Sequence, residues 1–443
     1  MTGRWEGLSR VLGNGHARFL EEGAAATPLP LLGAAGHLSS VQMPWQNLAD
    51  NNPEVLTYTY QANDWLMSQS NSLYQTTYTY NQRGFLLSQT TTAGATALSS
   101  FDSAQYDASG NLTAMNTTIP AQIPFGPGAP ALAVPGASLS YTYTAEDPLA
   151  SEVSQRNGTY HASYSYSYAA NAEDFLTQLN SLMLAPNNDD QVASDSLGHT
   201  YLYDGEGNRT QTPWADHDVV TGNPTLTNQT LSYDVLDRLT QFGGYFTAGY
   251  RPDGLRAYKK TTTGAAITYF LYDGTHLLAE FDGVSGHLLD LYGWGADGLV
   301  ERDLSNTLFY AYSFDPLGNL IQRHSVGGRN LQPPAYVDYT AAYDAFGAQL
   351  GAFSVYSNEE ATGQDCVGFA GEWGGYTDEE TATNGKLTAG VCISRLPVVL
   401  MGYRYYDPQT GRFLTRDPQG TDGGIDLYAY TRNNPILDWD PFE

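Results

Sequence analysis

Aromatic or apolar residues alternate with small polar residues in many short stretches of this chain. Examples are the segments LTYTYQ, TTYTYN, ASYSYSY and TLFYAYSF. A period of two puts successive side chains on opposite faces of an extended backbone, so each stretch predicts a half-buried β-strand with one aromatic face. The residues between these stretches favour tight turns, so the strands are expected to come in pairs.

One seven-residue pattern recurs between the predicted strands. It reads aromatic, Asp or polar, two variable residues, Gly or Asp, one further residue, then Leu or Arg. Asp at the first and Gly at the fourth position of a turn favour a type I turn that closes a hairpin, with Gly in the left-handed region. Four such turns are Asp107–Gly110, Asp204–Gly207, Asp315–Gly318 and Asp344–Gly347. The pattern begins at Tyr60, Tyr80, Tyr106, Tyr143, Tyr203, Tyr233, Tyr250, Tyr272, Phe314 and Tyr343.

The repeated hairpins predict an all-β protein. A single hairpin is at best marginally stable in water, so its tyrosine face must be buried against the next copy. The expected product is an array of hairpins that forms a long curved or spiral sheet. For the tyrosines, two roles stay open: packing and cross-strand stacking in the core, or an aromatic platform that binds sugars.

The amino-acid composition agrees with this fold and limits the classes of molecule that the protein is expected to bind. Charged residues are 15% of the chain, whereas it holds 33 Tyr and 46 Gly, a balance that favours sheets over helical bundles. Twenty basic and 47 acidic residues give a formal charge of −27. Such a chain repels phosphate backbones, so we expect no nucleic-acid partner. The acidic excess is also what keeps a large exposed β surface soluble.

No targeting segment or membrane span is visible in the sequence. The N-terminus lacks the apolar stretch of a signal peptide, and the later run AAATPLPLLGAAG is short and broken by Pro and Gly. Two cysteines, Cys366 and Cys392, are too few for a disulfide framework and do not have the spacing of a zinc or redox site. A single bridge between them stays open. We expect export, if it occurs, by a route without a visible signal peptide.

Cofactor motifs are also missing from the sequence. Histidines occur singly, and 216–218 (DHD) and 187–190 (NNDD) are better explained as exposed loops than as metal sites, because the ligand spacing is wrong. The sequence therefore predicts no cofactor and no metal.

The C-terminal stretch is the most specific part of the chain. It reads GYRYYDPQTGRFLTRDPQGTDGGIDLYAYTRNNPILDWDPFE and combines a tyrosine-rich hairpin with three Asp-Pro turns. With the hairpin motifs before it, this stretch resembles the Rhs or YD-repeat proteins, which include bacterial polymorphic toxins, the C components of insecticidal toxin complexes and, more distantly, teneurins. The resemblance covers roughly Leu56 to Pro441, and the stretch looks like the Rhs-associated core.

The resemblance implies a hairpin strip that spirals into a hollow shell, closed by the core as an inward plug. In that family the core acts as an aspartyl protease on its own chain and releases a C-terminal toxin polypeptide into the cavity. By position, the family's supporting arginine falls on Arg404 and its two acids fall on Asp417 and Asp440. At most, therefore, the resemblance implies an enzyme that cuts its own C-terminus.

The chemistry of these residue types has its own logic. Two carboxylates held close cannot both ionise, so one keeps a proton to donate while the other activates water, and an arginine can orient the pair. A structural explanation is also open. Asp417 and Asp440 can simply begin Asp-Pro turns, with Arg404 in a surface ion pair.

The prediction divides the chain into three parts. Residues 1–50 are an irregular or capping segment, 51–360 the hairpin array with a Pro-rich loop at 119–137, and 361–443 the Rhs-associated core. An inserted loop at about 381–397 departs from the family pattern and carries Cys392. The ending after Asp440 also departs, which predicts that the protease site is without its substrate peptide.

The predicted function is a structural shell fragment of an Rhs toxin that encloses a C-terminal cargo polypeptide, encoded in the same chain or separately. A further shell chain is a second expected partner. The expected location is outside a bacterial cell or on its surface. The alternative is a carbohydrate-binding, adhesive cell-surface protein, which would need exposed rows of aromatic rings.

Overall fold

The computed structural model describes fourteen stretches of the chain. They are residues 39–46, 53–71, 74–119, 137–156, 160–168, 175–217, 224–261, 266–295, 298–304, 308–327, 336–354, 366–378, 398–422 and 425–436. Within these stretches the regular structure consists of β-strands and three short 3₁₀ turns, which confirms the predicted all-β fold.

The first sheet has thirteen strands, and each strand pairs antiparallel with the next strand in the sequence. The strands are β1 (Ser40–Gln46), β2 (Pro53–Tyr60), β3 (Leu66–Ser70), β4 (Gln75–Tyr80), β5 (Leu86–Ala93), β6 (Thr96–Tyr106), β7 (Leu112–Thr118), β8 (Ala137–Tyr143), β9 (Leu149–Arg156), β10 (Tyr160–Tyr168), β11 (Leu176–Leu179), β12 (Leu182–Pro186) and β13 (Val192–Asp195). An isolated bridge between Ser194 and Thr200 links its last strand to the region where the second sheet begins.

The second sheet has fourteen strands in the same sequential order. They are β14 (Leu202–Tyr203), β15 (Arg209–His217), β16 (Pro224–Tyr233), β17 (Leu239–Phe242), β18 (Phe246–Tyr250), β19 (Arg256–Thr261), β20 (Ile267–Asp273), β21 (His276–Asp282), β22 (Leu288–Trp294), β23 (Leu299–Leu304), β24 (Leu308–Phe314), β25 (Leu320–Gly327), β26 (Tyr336–Tyr343) and β27 (Gln349–Ser354).

A third, four-stranded sheet lies in the C-terminal segment, the name used here for described residues from 366 to 436. Its strands are β28 (Tyr376–Asp378), β29 (Val398–Met401), β30 (Arg404–Asp407) and β31 (Arg412–Phe413). The 3₁₀ turns, at Gly371–Trp373, Gly420–Asp422 and Thr431–Asn433, belong to the same segment.

The seven-residue pattern forms the hairpin turns as predicted. In nine of the ten instances the aromatic residue pairs with the residue six positions later, as Tyr106 does with Leu112, and the register shifts by one residue beside the aromatic position. The turn glycines take left-handed backbone angles, with φ of 105° at Gly110. The exception begins at Tyr272, which pairs with Leu277 across a shorter turn.

Side chains from the first and second sheets share one core. Leu176 and Phe101 of the first sheet pack in a cluster that also contains Ile321 and Phe346 of the second. Gln89 donates to the Phe314 carbonyl at 3.1 Å, and the rings of Tyr74 and His324 lie 5.2 Å apart. The two large sheets therefore pack against each other, and hairpins distant in sequence lie in contact.

The C-terminal segment packs against both large sheets. Val398, Leu400 and Tyr405 share a cluster with Phe242 and Phe246 of the second sheet. On the side of the first sheet, Asn434 donates to the Asn111 side chain at 3.1 Å and to the Asp147 carbonyl at 3.0 Å.

Several predictions fall on residues outside the described ranges. These are most of the segment 1–50, nearly all of the loop 119–137, the inserted loop 381–397 with Cys392, and Asp440. Across the described stretches, no helix has both the length and the apolar character needed to traverse a lipid bilayer.

Candidate site in the C-terminal segment

A buried charge cluster ties β28 to the second sheet. The Asp378 carboxylate, wholly buried, accepts from Arg256 at 2.6 Å and from Lys259 at 2.8 Å, and Tyr405 donates to it at 2.9 Å. Burial alone would raise the pKa of Asp378, but Arg256 and Lys259 hold it below its usual range. Asp378 therefore stays ionised and pairs with two cations that the sheet presents to the C-terminal segment.

A second buried pair ties β30 to the same sheet. Arg209 of β15 contacts the Asp407 carboxylate at 2.6 Å and the Thr410 hydroxyl at 3.2 Å. Asp407 also accepts from the backbone N–H of Gln409 at 3.0 Å, so its side chain caps its own Asp-Pro turn while it binds the arginine. Together the two pairs fix the hairpin β29–β30, from which the candidate site extends.

The structure brings two of the three predicted site residues together. Arg404 opens β30, and its Nη2 lies 3.9 Å from Oδ2 of Asp417; both side chains are buried, at 3% and 7% exposure. The guanidinium also stacks on the Phe413 ring, 3.6 Å from its centroid, and donates to the Leu427 carbonyl at 3.3 Å. A distance of 3.9 Å is an ion pair without a direct hydrogen bond.

Asp417 is held by its own turn. Its Oδ1 accepts from the Gln419 N–H at 2.7 Å, its carbonyl accepts from the Gly420 N–H at 3.0 Å, and its N–H donates to the Leu427 carbonyl at 2.9 Å. This is the turn geometry that the structural explanation predicted. The Oδ2 atom faces Arg404. The second predicted acid, Asp440, lies outside the described residues.

Sequence reasoning missed the arginines that hold the segment in place. Arg209 and Arg256 close the motifs that begin at Tyr203 and Tyr250, at a position where Leu is commoner in this chain. Both side chains are 1% exposed, and both pair with acids of the C-terminal segment. Arg in place of Leu at this position was the sequence feature that could have revealed the buried ion pairs, because the position points into the core.

The sequence also did not predict that three acids, Glu152, Asp315 and Asp344, line one cavity between the sheets. Glu152 and Asp344 are 3% and 1% exposed, and burial raises the pKa of Glu152 to about 8. Among the described residues, no three His, Cys, Asp or Glu side chains are placed to hold a metal ion. Cys366 is buried, with its Sγ 3.1 Å from the Tyr292 hydroxyl.

No protein-family model matches this chain. Among curated proteins, the tRNA3(Ser)-specific nuclease WapA of Bacillus spizizenii is 26% identical over 264 residues, which is 54% of this chain and 11% of that protein. Toxin subunit YenC1 of Yersinia entomophaga is 52% identical over 40 residues, which is 9% of this chain and 4% of that protein. The chain thus spans about a tenth or less of the length of these relatives.

Among solved structures, the chain is similar to one in the crystal structure of TcdB2-TccC3-Cdc42. The TM-score is 0.52 at 15% sequence identity, and the match covers 92% of this chain and 20% of that chain. This similarity shows the fold, which is built of large antiparallel sheets. Together, the matches in sequence and fold relate this chain to toxin proteins of the Rhs type.

Proposed function

We propose that this chain forms part of the shell of an Rhs-type toxin protein and encloses a C-terminal cargo polypeptide. In this proposal the C-terminal segment is the Rhs-associated core, and it carries an aspartyl self-protease made of Asp417 and Asp440 with Arg404 as a supporting residue. The cargo belongs to the same polypeptide or to a separate one, and further shell chains complete the enclosure. The protein acts outside the bacterial cell or on its surface.

The observation that carries the proposal is the fixed position of Arg404 and Asp417 inside the array. Two buried ion pairs, Arg209 with Asp407 and Arg256 with Asp378, join the C-terminal segment to the sheet. A segment anchored in this way is suited to stop a cavity. It also holds Asp417 rigidly in a largely dry environment, where electrostatic effects on a peptide bond are strongest.

The proposal is tested with the chain extended after Glu443 by a Gly-Leu-containing tail. We expect a cut shortly after Asp440, measured as the appearance of the released tail over time. Asp417→Asn and Asp440→Asn should each slow the cut at least ~100-fold, because each removes a general acid or base. The amide oxygen that Asp417→Asn introduces can still accept from the Gln419 N–H, so the turn should persist.

The matched control is Asp282→Asn, which changes a partly exposed aspartate whose Oδ1 also caps its own turn. It should be cut at the unaltered rate. Thermal unfolding of every variant separates lost chemistry from lost folding. Equal cutting in Asp417→Asn and the parent chain would remove the protease assignment, and the shell role would then rest on the fold alone.

The carbohydrate-binding alternative draws little support from the described surface. Tyr258 and Tyr269 are 38% and 47% exposed, with ring centroids 6.0 Å apart, and Tyr403 is 38% exposed. Every other tyrosine whose side chain the structure describes is buried or half-buried. One exposed pair is a small patch, whereas an adhesive surface would need a row of such rings.

A further inference from the structure

A small cavity of about 70 Å³ lies where the first and second sheets meet. Glu152 and Ser154 of β9 line it from the first sheet, and Asp315 and Asp344 line it from the hairpin turns of the second sheet. Ile436 of the C-terminal segment also reaches it. The cavity is therefore a junction of all three parts of the fold, and three of its lining side chains are acids.

Glu152 bridges the two sheets directly. Its Oε2 accepts from the backbone N–H of Ala345, in the turn after β26, at 2.8 Å, and from the Tyr166 hydroxyl at 3.3 Å. Beside it, Asp344 accepts from the Asn180 amide at 3.0 Å. The contact between the sheets at this point thus depends on carboxyl groups with very little access to solvent.

No positive charge faces these acids from the described lining residues, none of which is Lys, Arg or His. The other titratable groups that face Glu152 are Tyr166 of β10 and Tyr141 of β8, with Asp315 and Asp344 across the junction. Tyr406 of β30 faces Asp344 from the C-terminal segment.

A polar atom aimed at this space also lacks a partner. The Ser154 hydroxyl is buried at the cavity wall and makes no hydrogen bond within the described part of the chain. A cavity with three carboxyl groups, an unpartnered hydroxyl and no cation favours occupants that neutralise negative charge. The described acids are not placed to hold a metal ion. A proton on one of the carboxyl groups can neutralise the charge instead.

We propose that Glu152 is a proton-dependent latch between the two large sheets, closed when its carboxyl group is protonated and loosened when it ionises. Ionisation places a second negative charge beside Asp344 across a nearly dry junction, which repels the turn that carries Ala345. The latch operates whether or not the chain encloses a cargo or cuts itself.

The direction of the pH effect follows from the pKa values. Burial, and then the charge of Asp344, raise the pKa of Glu152 from 4.5 to about 8. The folded protein therefore binds this proton more tightly than the unfolded chain does. The free energy of unfolding should fall as the pH rises from about 4.5 to about 8 and then become level.

The first test is Glu152→Gln, which keeps an acceptor for the Ala345 N–H but cannot ionise. Its melting temperature at pH 8.5 should exceed that of the parent chain by roughly 3–6 °C. Between pH 6 and 8.5 its melting temperature should change less with pH than that of the parent. Glu206→Gln, at an exposed turn position, should leave the parent profile intact. A Glu152→Gln profile that parallels the parent's would overturn the proposal.

The second test needs no variant and applies even if Glu152→Gln does not fold. Amide hydrogen exchange of Ala345 in the parent chain, corrected for intrinsic pH dependence, should accelerate at least ~10-fold between pH 6.5 and 9. The Leu414 amide, which donates to the Tyr405 carbonyl at 2.8 Å inside the C-terminal segment, should keep constant protection. Constant protection at Ala345 would also overturn the latch.

Discussion

At the scale of the residue, a motif tyrosine uses both its ring and its hydroxyl. The ring packs in the core, and the hydroxyl donates to the carbonyl of the residue that closes the preceding motif, at 2.6 to 2.8 Å. Four such pairs are Tyr106 to Leu86, Tyr143 to Leu112, Tyr233 to Arg209 and Tyr250 to Leu239. Each bond fixes one hairpin to its predecessor, which explains why the chain uses Tyr here more often than Phe.

Removing one hydroxyl should therefore weaken the link between two hairpins. We expect Tyr250→Phe to lower the free energy of unfolding by about 1–2 kcal/mol, because the Leu239 carbonyl loses its half-buried partner. Tyr269→Phe, on a side chain that is 47% exposed, should change it by less than about 0.5 kcal/mol. Equilibrium unfolding in urea measures both values, and similar losses would contradict this role of the hydroxyl.

At the scale of the element, the hairpin turns are docking points as well as chain reversals. Gly347 has φ of 86°, and a Cβ atom there would lie 2.6 Å from the Phe369 ring. Gly318, with φ of 71°, lies under Trp373 in the same way. In both turns the absence of a side chain lets an aromatic ring of the C-terminal segment rest on the backbone.

Two glycine variants separate the need for a left-handed backbone from the need for space beneath an aromatic ring. Gly198 has φ of 85° in a similar Asp-x-x-Gly turn, but a Cβ atom there would meet nothing within 4 Å. Gly198→Ala should cost about 1–2 kcal/mol for the left-handed backbone alone. Gly347→Ala should cost at least ~2 kcal/mol more, because Phe369 must also move. Chemical unfolding gives the comparison, and equal losses would mean that the ring contact contributes nothing.

At the scale of the whole molecule, the array and the C-terminal segment depend on each other. Arg256 and Lys259 would be two buried cations without Asp378, and Asp378 would be a buried anion without them. The guanidinium of Arg256 also lies 4.4 Å from the Phe270 ring centroid and 4.6 Å from that of Tyr376. The charge cluster makes sense only when the segment is in place.

Asp378→Asn should consequently destabilise the whole chain by about 3–5 kcal/mol, since it removes the buried carboxylate that binds both Arg256 and Lys259. Asp253→Asn is the comparison, because Asp253 pairs with Arg251 at a site where the side chains are 46% and 38% exposed. It should cost less than about 1 kcal/mol. Unfolding in guanidinium chloride measures the free energy of unfolding of both variants. Comparable decreases in Asp378→Asn and Asp253→Asn would show that the charge cluster does not anchor the segment.

Much of the array could be predicted from the sequence because its strand pairing is local. Each strand pairs with its chain neighbour. The period of two, the turn aspartates and the turn glycines together define hairpins such as the one between Tyr106 and Leu112 and the one between Tyr343 and Gln349. The candidate site was predictable only in part. Arg404 and Asp417 lie close, and Asp417 caps its own Asp-Pro turn, as the sequence predicted. Spacing along the chain did not reveal the buried ion pairs, Arg209 with Asp407 and Arg256 with Asp378, that hold the segment.

What the sequence determined by itself is the hairpin, since its information lies within a few residues of each turn. What only the tertiary structure decided is the burial of each charge. Asp107 and Asp344 occupy the same motif position, yet Asp107 is only part-buried whereas Asp344 is 1% exposed at the junction of the sheets. That difference arises from contacts between hairpins far apart in the chain, so no local pattern of residues contains it.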